Sequence, residues 1–473
     1  MTLGKSIAYN TIIQIFGKIA TISLALVSFG LMTRYLGQAG FGYYTTVYAF
    51  LAIFGILIDL GLQMTTTKLI SDPKNNESQI ISNALTIRLL ASIIFLGLAP
   101  IIVLFFPYPR LIKIGVAAAT IGFVFASLTA TLTSLFQKKL IMQRVVIAEV
   151  AAKILFLALL LATVYFNWGL LGVIGATVLD SFLVIVILLY FASRSVTIKL
   201  SFEPAVWRQI LNATWPIALT IALNLIYFKG DIFIMSLIRS EVEVGIYGAP
   251  YKVLEILINV AYLFLGLILP ILATAAASQN WEKFKTMVQS AFNFLIIVTV
   301  PLIVGGYFVG EPLMTAIAGP DFTISGELIK ILLIATGAIF IASLFGYVIV
   351  AIDKQKQMIK FYALNALISV IGYVILIAKY SYWGAAWMTV FTEMFMLLTT
   401  IYVMGQSLKF LPRLKILYPA VAAAGVMAIP LYFLANLHFA ILIVAGGLVY
   451  GLAFYALTGF NKQTISEIVT IKN

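Results

Sequence analysis

This 473-residue sequence predicts an all-α polytopic membrane fold, on three observations. Hydrophobic residues make up 63% of the chain and charged residues only 10%, against about 25% charged in soluble domains. Apolar runs of bilayer-crossing length recur from end to end, and the mean hydropathy is +1.10. The loops between those runs alternate sharply in Lys and Arg content. With no cysteine and a single histidine, His438, the sequence offers neither thiol chemistry nor a histidine metal site.

The first apolar run, 9–33, is too long for a signal peptide and lacks a small-residue cleavage site, so it is expected to be a span. Breaking the hydropathy at polar and Gly/Pro clusters places further spans at 43–64, 81–106, 111–135, 145–166 and 170–191. After a polar link they resume at 215–238, 247–272, 292–309, 328–352, 361–377, 383–404, 416–434 and 439–460, fourteen in all. Of the 30 Lys and Arg, nineteen fall in the termini and even-numbered loops, six inside spans, and only Arg34, Arg110, Lys113, Arg239 and Lys379 in the opposite loops. The positive-inside rule then puts both termini in the cytoplasm of a plasma-membrane protein. The formal charge of +13 is dispersed over short cytoplasmic segments, which suits anionic lipid and argues against nucleic acid.

Between spans six and seven, Ser201, Glu203 and Pro204 are first-turn residues for a short helix. With Val206, Trp207 and Ile210 apolar and Arg194, Lys199 and Arg208 basic, residues 194–210 are expected to lie on the cytoplasmic surface as an amphipathic linker. The expected divisions are a six-helix bundle over 1–193, the linker, a second bundle over 211–406, and a helix pair with a tail over 407–473. A shift of 203 residues aligns Gly42-x-Tyr44-x-x-x-Tyr48 with Gly245-x-Tyr247-x-x-x-Tyr251, both between the first and second spans of a half. Duplicated bundles commonly place a site at the repeat interface.

The motifs Thr33-Arg34-Tyr35-Leu36-Gly37, Phe41-Gly42-Tyr43-Tyr44, Asp59-Leu60-Gly61-Leu62, the stretch from Asp231 to Ile246-Tyr247, and Ala318-Gly319-Pro320-Asp321-Phe322 carry a resemblance. In that order and spacing, over nearly the whole chain, the sequence resembles the polysaccharide and O-antigen flippases of the multidrug/oligosaccharidyl-lipid/polysaccharide exporter superfamily. The resemblance implies two six-helix bundles forming a V, opening alternately to either side. It also implies a polyprenyl-diphosphate-linked glycan as cargo, moved from the cytoplasmic to the outer leaflet, with other polysaccharide-assembly membrane proteins as possible partners. No bond is made or broken in such transport, so no catalytic residue, enzyme activity, cofactor or metal is expected.

Charged residues inside spans cost on the order of 3 kcal/mol each, so they normally line a polar cavity or pair. The basic set is Lys18, Arg88, Lys153, Lys229, Lys252 and Lys330, and the acidic set Asp59, Glu149, Asp180, Asp231, Glu255 and Glu393. Local ion pairs are expected for Glu149 with Lys153 and for Lys252 with Glu255, while Lys330 can snorkel outward. Arg88 and Lys18 are the first candidates for diphosphate, with Lys229 and Lys153 behind them; pairing with Asp59 or Asp180 is the structural alternative. Polar stripes at helical spacing place Asn10 and Gln14 with Lys18, Thr220, Asn224 and Tyr227 with Asp231, Tyr251 and Asn259 with Glu255, and Tyr362, Asn365, Ser369 and Tyr373 together. From these stripes Gln14, Asn224, Tyr227 and Asn259 are the candidate cargo contacts. Each stripe fits cavity lining or interhelical hydrogen bonding equally.

Asp59, Asp180, Asp231 and Glu393 are the candidate Na+ or H+ coupling sites. Residues 416–460, free of Asp, Glu, Lys and Arg, suit either a lipid-facing guide for a polyprenyl tail or a packing pair. Two alternatives stand beside the glycan-lipid reading: an ion-coupled multidrug exporter of the same superfamily and a murein-precursor flippase. No P-loop pattern is present, which argues against direct ATP hydrolysis.

Overall fold

The computed structural model describes residues 3–59, 61–72, 74–139, 141–435 and 437–458, with backbone only at 3–12, 14–15, 216–217, 219–221 and 225. The described residues are overwhelmingly helical, as the composition predicts. The helices are α1 (Leu3–Asp59), α2 (Leu62–Ser71), α3 (Glu77–Ala91), α4 (Gly97–Ile102), α5 (Arg110–Lys138), α6 (Gln143–Tyr165) and α7 (Gly169–Ser193). They continue as α8 (Pro204–Ile238), α9 (Glu241–Ala277), α10 (Trp281–Ala318), α11 (Thr323–Ala351), α12 (Ile359–Leu408), α13 (Leu417–Phe433) and α14 (Phe439–Thr458).

Eleven stretches of the described residues are long and apolar enough to cross a bilayer. Two of them, Phe16–Ser71 and Gln355–Leu408, run to 56 and 54 residues, where about 20 would suffice. Each is broken where hydropathy puts a turn between spans, α1 at Gly37 (φ 64°) and α12 at Ser381 (φ 53°). Helix α1 ends at Asp59, and Gly61 at φ 82° supplies the left-handed residue that lets α2 leave at an angle. Between α3 and α4 the chain takes one π-helical turn, Ser92–Leu96. Pro100 accounts for it, because its ring cannot donate to, and clashes with, the carbonyl four residues earlier.

The chain forms two compact units, Met1–Gly245 and Ile246–Asn473. In the first, α1 packs on α5, α6 and α8, while α7 packs on α5 and α6. The repeat glycines meet within this unit. A Cβ on Gly42 would stand 1.8 Å from the Glu241 carbonyl oxygen, and one on Gly245 would stand 2.0 Å from that of Gln38. Backbone thus touches backbone where α1 meets the first turn of α9, a contact only glycine permits. In the second unit α11 packs on α10 and α12, and the α13–α14 hairpin lies against α10.

The linker takes a different form from the one its amphipathic pattern predicts. Residues 197–203 have no helical assignment and lie along α3, whose side chains at near-helical spacing satisfy their backbone. Ser78 accepts from Thr197 N–H at 3.3 Å, Ser82 from Lys199 at 3.2 Å, Thr86 from Ser201 at 2.9 Å and Asn83 from Glu203 at 3.0 Å. Pro204 then opens α8, as its first-turn chemistry predicts, but α8 continues for 35 residues without a break. Val206 and Ile210 are buried against Leu85, Leu135 and Phe136 in the core of the first unit. Lipid offers no hydrogen bonds to an extended backbone, whereas the hydroxyl ladder of α3 does.

Glu203 locks this strap. Its carboxylate accepts from Gln79, from Asn83 at 3.1 Å and from Ser201 at 2.9 Å, and these bonds hold its pKa below the usual glutamate value. A lowered native pKa adds stability above the unfolded value, near 4.5, that is lost as pH falls through the native one. Glu203→Gln is expected to remove the lock at neutral pH and speed amide exchange at Lys199, Ser201 and Glu203. Unchanged exchange at these amides would show that the strap is held without it.

Candidate functional site

The first unit assembles a ladder of four charges from three helices. Lys18 of α1 lies 3.8 Å from Glu149 of α6, and one turn further along α6 Lys153 donates to Asp180 of α7 at 2.8 Å. The i,i+4 spacing predicts Glu149 with Lys153, yet each partners a neighbouring helix. A pair on one helix needs both side chains bent along its surface, whereas packing of α6 between α1 and α7 brings opposite charges directly face to face. Two lysines and two carboxylates leave the ladder neutral. Its side chains keep 35% (Lys18), 35% (Glu149), 28% (Lys153) and 11% (Asp180) of their surface accessible.

Arg88 forms a second cross-helix pair. Its guanidinium, with no exposed surface, holds Asp59 at the end of α1 and donates through Nη1 to the Ser127 carbonyl of α5 at 2.7 Å. Asp59 is the accessible member, with 44% of its side chain exposed. A carboxylate at a helix C-terminus sits against the negative end of the helix dipole, and Arg88 offsets that. A phosphate would meet Arg88 in this conformation only by displacing Asp59.

Of the remaining candidates, Gln14, Asn10 and Thr220 lie outside the described side chains. On α8, Asn224 donates to the Tyr227 phenol at 2.7 Å, Lys229 lies 5.4 Å from the Phe228 ring centre, and the buried Asp231 accepts from Ile232 N–H at 2.7 Å. In the second unit Asn259 is exposed on α9 and Glu393 is buried on α12. Lys252 and Glu255 pair at 3.0 Å as their spacing predicts, while Lys330 is held by Glu327. The stripe on the first half of α12 is interhelical: Asn365, Ser369 and Tyr373 are buried, and the Tyr373 and Tyr247 phenols each lie 3.1 Å from the Thr389 hydroxyl. Sequence reasoning passes over Thr389, because one threonine in an apolar helix has no periodic signal. Among the described residues no group of His, Asp and Glu converges as a metal site.

The second unit also contains an apolar groove of about 410 Å3 among α9, α10, α11, α13 and α14. Val253, Leu257, Pro301, Leu333, Met427 and Leu442 contribute to its lining, and no lining residue is charged. The hairpin's one histidine, His438, is exposed in the turn, where its Nδ1 accepts the Ala440 N–H at 3.4 Å. Neutral walls of this kind suit a hydrocarbon chain, while the ladder suits a charged, hydroxylated headgroup.

Comparison with known proteins places this chain among membrane transporters by sequence and by fold. The profile of a family described as "Polysaccharide biosynthesis protein" matches residues 7–276. A protein of Shigella dysenteriae assigned as an O-antigen transporter is 21% identical over 379 residues, covering 77% of this chain and 92% of that one. The fold is shared with the lipid II flippase MurJ in an inward closed conformation (TM-score 0.76, 16% identity, 95% of this chain and 98% of that one). It is shared also with an inward-facing multidrug resistance MATE transporter of the MOP superfamily (TM-score 0.68, 13% identity, 82% and 94%).

Proposed function

This chain belongs to the polysaccharide biosynthesis protein family, a family of multi-pass membrane proteins rather than enzymes, and from that premise we propose that it is a lipid-linked oligosaccharide flippase. Its cargo is a polyprenyl-diphosphate-linked glycan, carried from the cytoplasmic to the outer leaflet of the plasma membrane by alternating access. The observation that carries this reading is the ladder: lysines within apolar helices, paired yet about one-third accessible, can exchange a carboxylate for a phosphate without an uncompensated charge. Lys18 and Lys153 take the diphosphate, and Arg88 joins them when Asp59 lets go. Fourteen spans with both termini cytoplasmic, and coupling to H+ or Na+, complete the proposal.

Reconstitution into vesicles tests it, with a fluorescent lipid-diphosphate oligosaccharide scored for movement between leaflets. Wild type is expected to move the probe, and Lys18→Ala to move it about tenfold more slowly, the worth of one charge-assisted hydrogen bond. Movement of a lipid-linked murein precursor alone would transfer the reading to that substrate, which the MurJ fold keeps in view. Export of amphipathic cations without lipid movement would replace it with multidrug transport, a reading the buried Glu393 beside Tyr262 and Tyr362 favours.

A further inference from the structure

Lys153 and Asp180 stand near the middle of α6 and α7, where the bilayer is driest. Asp180 is 8% exposed, and only its Oδ2 is used, by Lys153 at 2.8 Å. Its Oδ1 is buried and accepts no hydrogen bond. A cavity of about 180 Å3 lies along the same stretch of α7, lined by Thr177 and Ser181, which flank Asp180 in the helix, and by Tyr48 of α1. The facing α5 wall is Ala119, Gly122, Phe123 and Ala126; its three small residues leave room for a few waters, with Thr177, Ser181 and Tyr48 as the polar groups at hand.

Few other charges face this carboxylate. Asp180 is the lone charged residue of α7, and α5 carries none between Lys113 and Lys138. Helix α6 contributes Lys153 and, one turn away, Glu149, which is already paired with Lys18 of α1. Tyr44 and Tyr48 complete the surroundings from α1, with ring centres 4.4 Å apart. If Lys153 turns to another anion, nothing on these helices replaces it, and a carboxylate left without its partner among apolar helices carries a heavy desolvation cost.

We propose that Lys153 and Asp180 form an exchange switch that couples headgroup binding to uptake of one proton. This rests on the diphosphate reading above. A phosphate oxygen takes the Lys153 ammonium, and the Asp180 carboxylate accepts one H+ from water that reaches the pair on the accessible Lys153 side. The site's charge is then restored: one negative charge arrives with the phosphate and one is cancelled on Asp180. When the headgroup departs, the acid returns its proton to water and Lys153 closes on it again. Proton binding and phosphate binding are thereby linked, each strengthening the other.

The experiment follows proton uptake from weakly buffered solution near neutral pH as the full-length protein in nanodiscs is titrated with a short-chain prenyl diphosphate, with binding measured in parallel. Wild type is expected to take up about one more proton per bound probe than Asp180→Asn, which should bind at least as tightly because its Lys153 is already released. Should Asp180→Asn misfold, Lys153→Gln/Asp180→Asn leaves no buried charge behind, and it should bind more weakly with no extra uptake. Equal uptake by wild type and the variant, with binding intact in both, would overturn the switch and leave the diphosphate reading standing. No binding of the probe to wild type would overturn both. Binding of inorganic pyrophosphate with the same uptake would show that the headgroup phosphates alone operate the switch.

Discussion

Arg88→Ala is expected to cost about 2–4 kcal/mol of stability, mainly for the void and the stranded Ser127 carbonyl, since the surviving Asp59 is half-exposed. The guanidinium ties three helices, holding Asp59 at the end of α1 and the Ser127 carbonyl of α5 from its place on α3. Alanine strands both acceptors and leaves an arginine-sized void at a position with no exposed surface. The measurement is the unfolding midpoint in detergent for wild type, Arg88→Ala and Arg88→Met/Asp59→Asn. The double variant, with no unpaired charge, should recover part of the loss. An Arg88→Ala protein as stable as wild type would show that the pair contributes nothing to the fold. Loss of transport in Arg88→Ala therefore identifies a phosphate contact only if the variant is first shown to be folded.

Gly42→Ala and Gly245→Ala are expected to be as damaging, each by about 3 kcal/mol or more, beyond ordinary overpacking. The new methyl would lie 1.8 Å from a carbonyl oxygen in the first and 2.0 Å in the second. Both obstacles are backbone atoms, so no rotamer change relieves the clash, and α1 and the start of α9 must separate. Gly451→Ala in α14 is the control: its Cβ meets nothing within 4 Å, and the better helix former should leave stability unchanged or raise it by up to about 1 kcal/mol. Equal stabilities for all three variants would refute the close crossing.

The 203-residue repeat makes Gly42 and Gly245 visible as a matched pair, but not their contact. The hydropathy breaks near residues 37 and 381 coincide with the residues that interrupt α1 and α12, because a turn between apolar runs needs a backbone that leaves the helix. The linker misleads for a related reason. Alternation of Val206, Trp207 and Ile210 with basic residues describes a two-faced segment, and pattern alone does not say whether protein or lipid covers the apolar face. The side chains of α3 settle that, from more than a hundred residues away in the chain.

Sequence by itself determined the solvent of this protein, the positions of its apolar helices, the start of α8 at Pro204 and the Lys252–Glu255 pair, since each depends on residues within a turn or two of one another. Tertiary structure alone decided that Lys18 partners Glu149, that Lys153 partners Asp180, and that Arg88 is sealed behind Asp59. Those choices depend on how far each helix is rotated about its axis when it packs. Rotation is fixed by the shapes of neighbouring helices, and no local spacing encodes it.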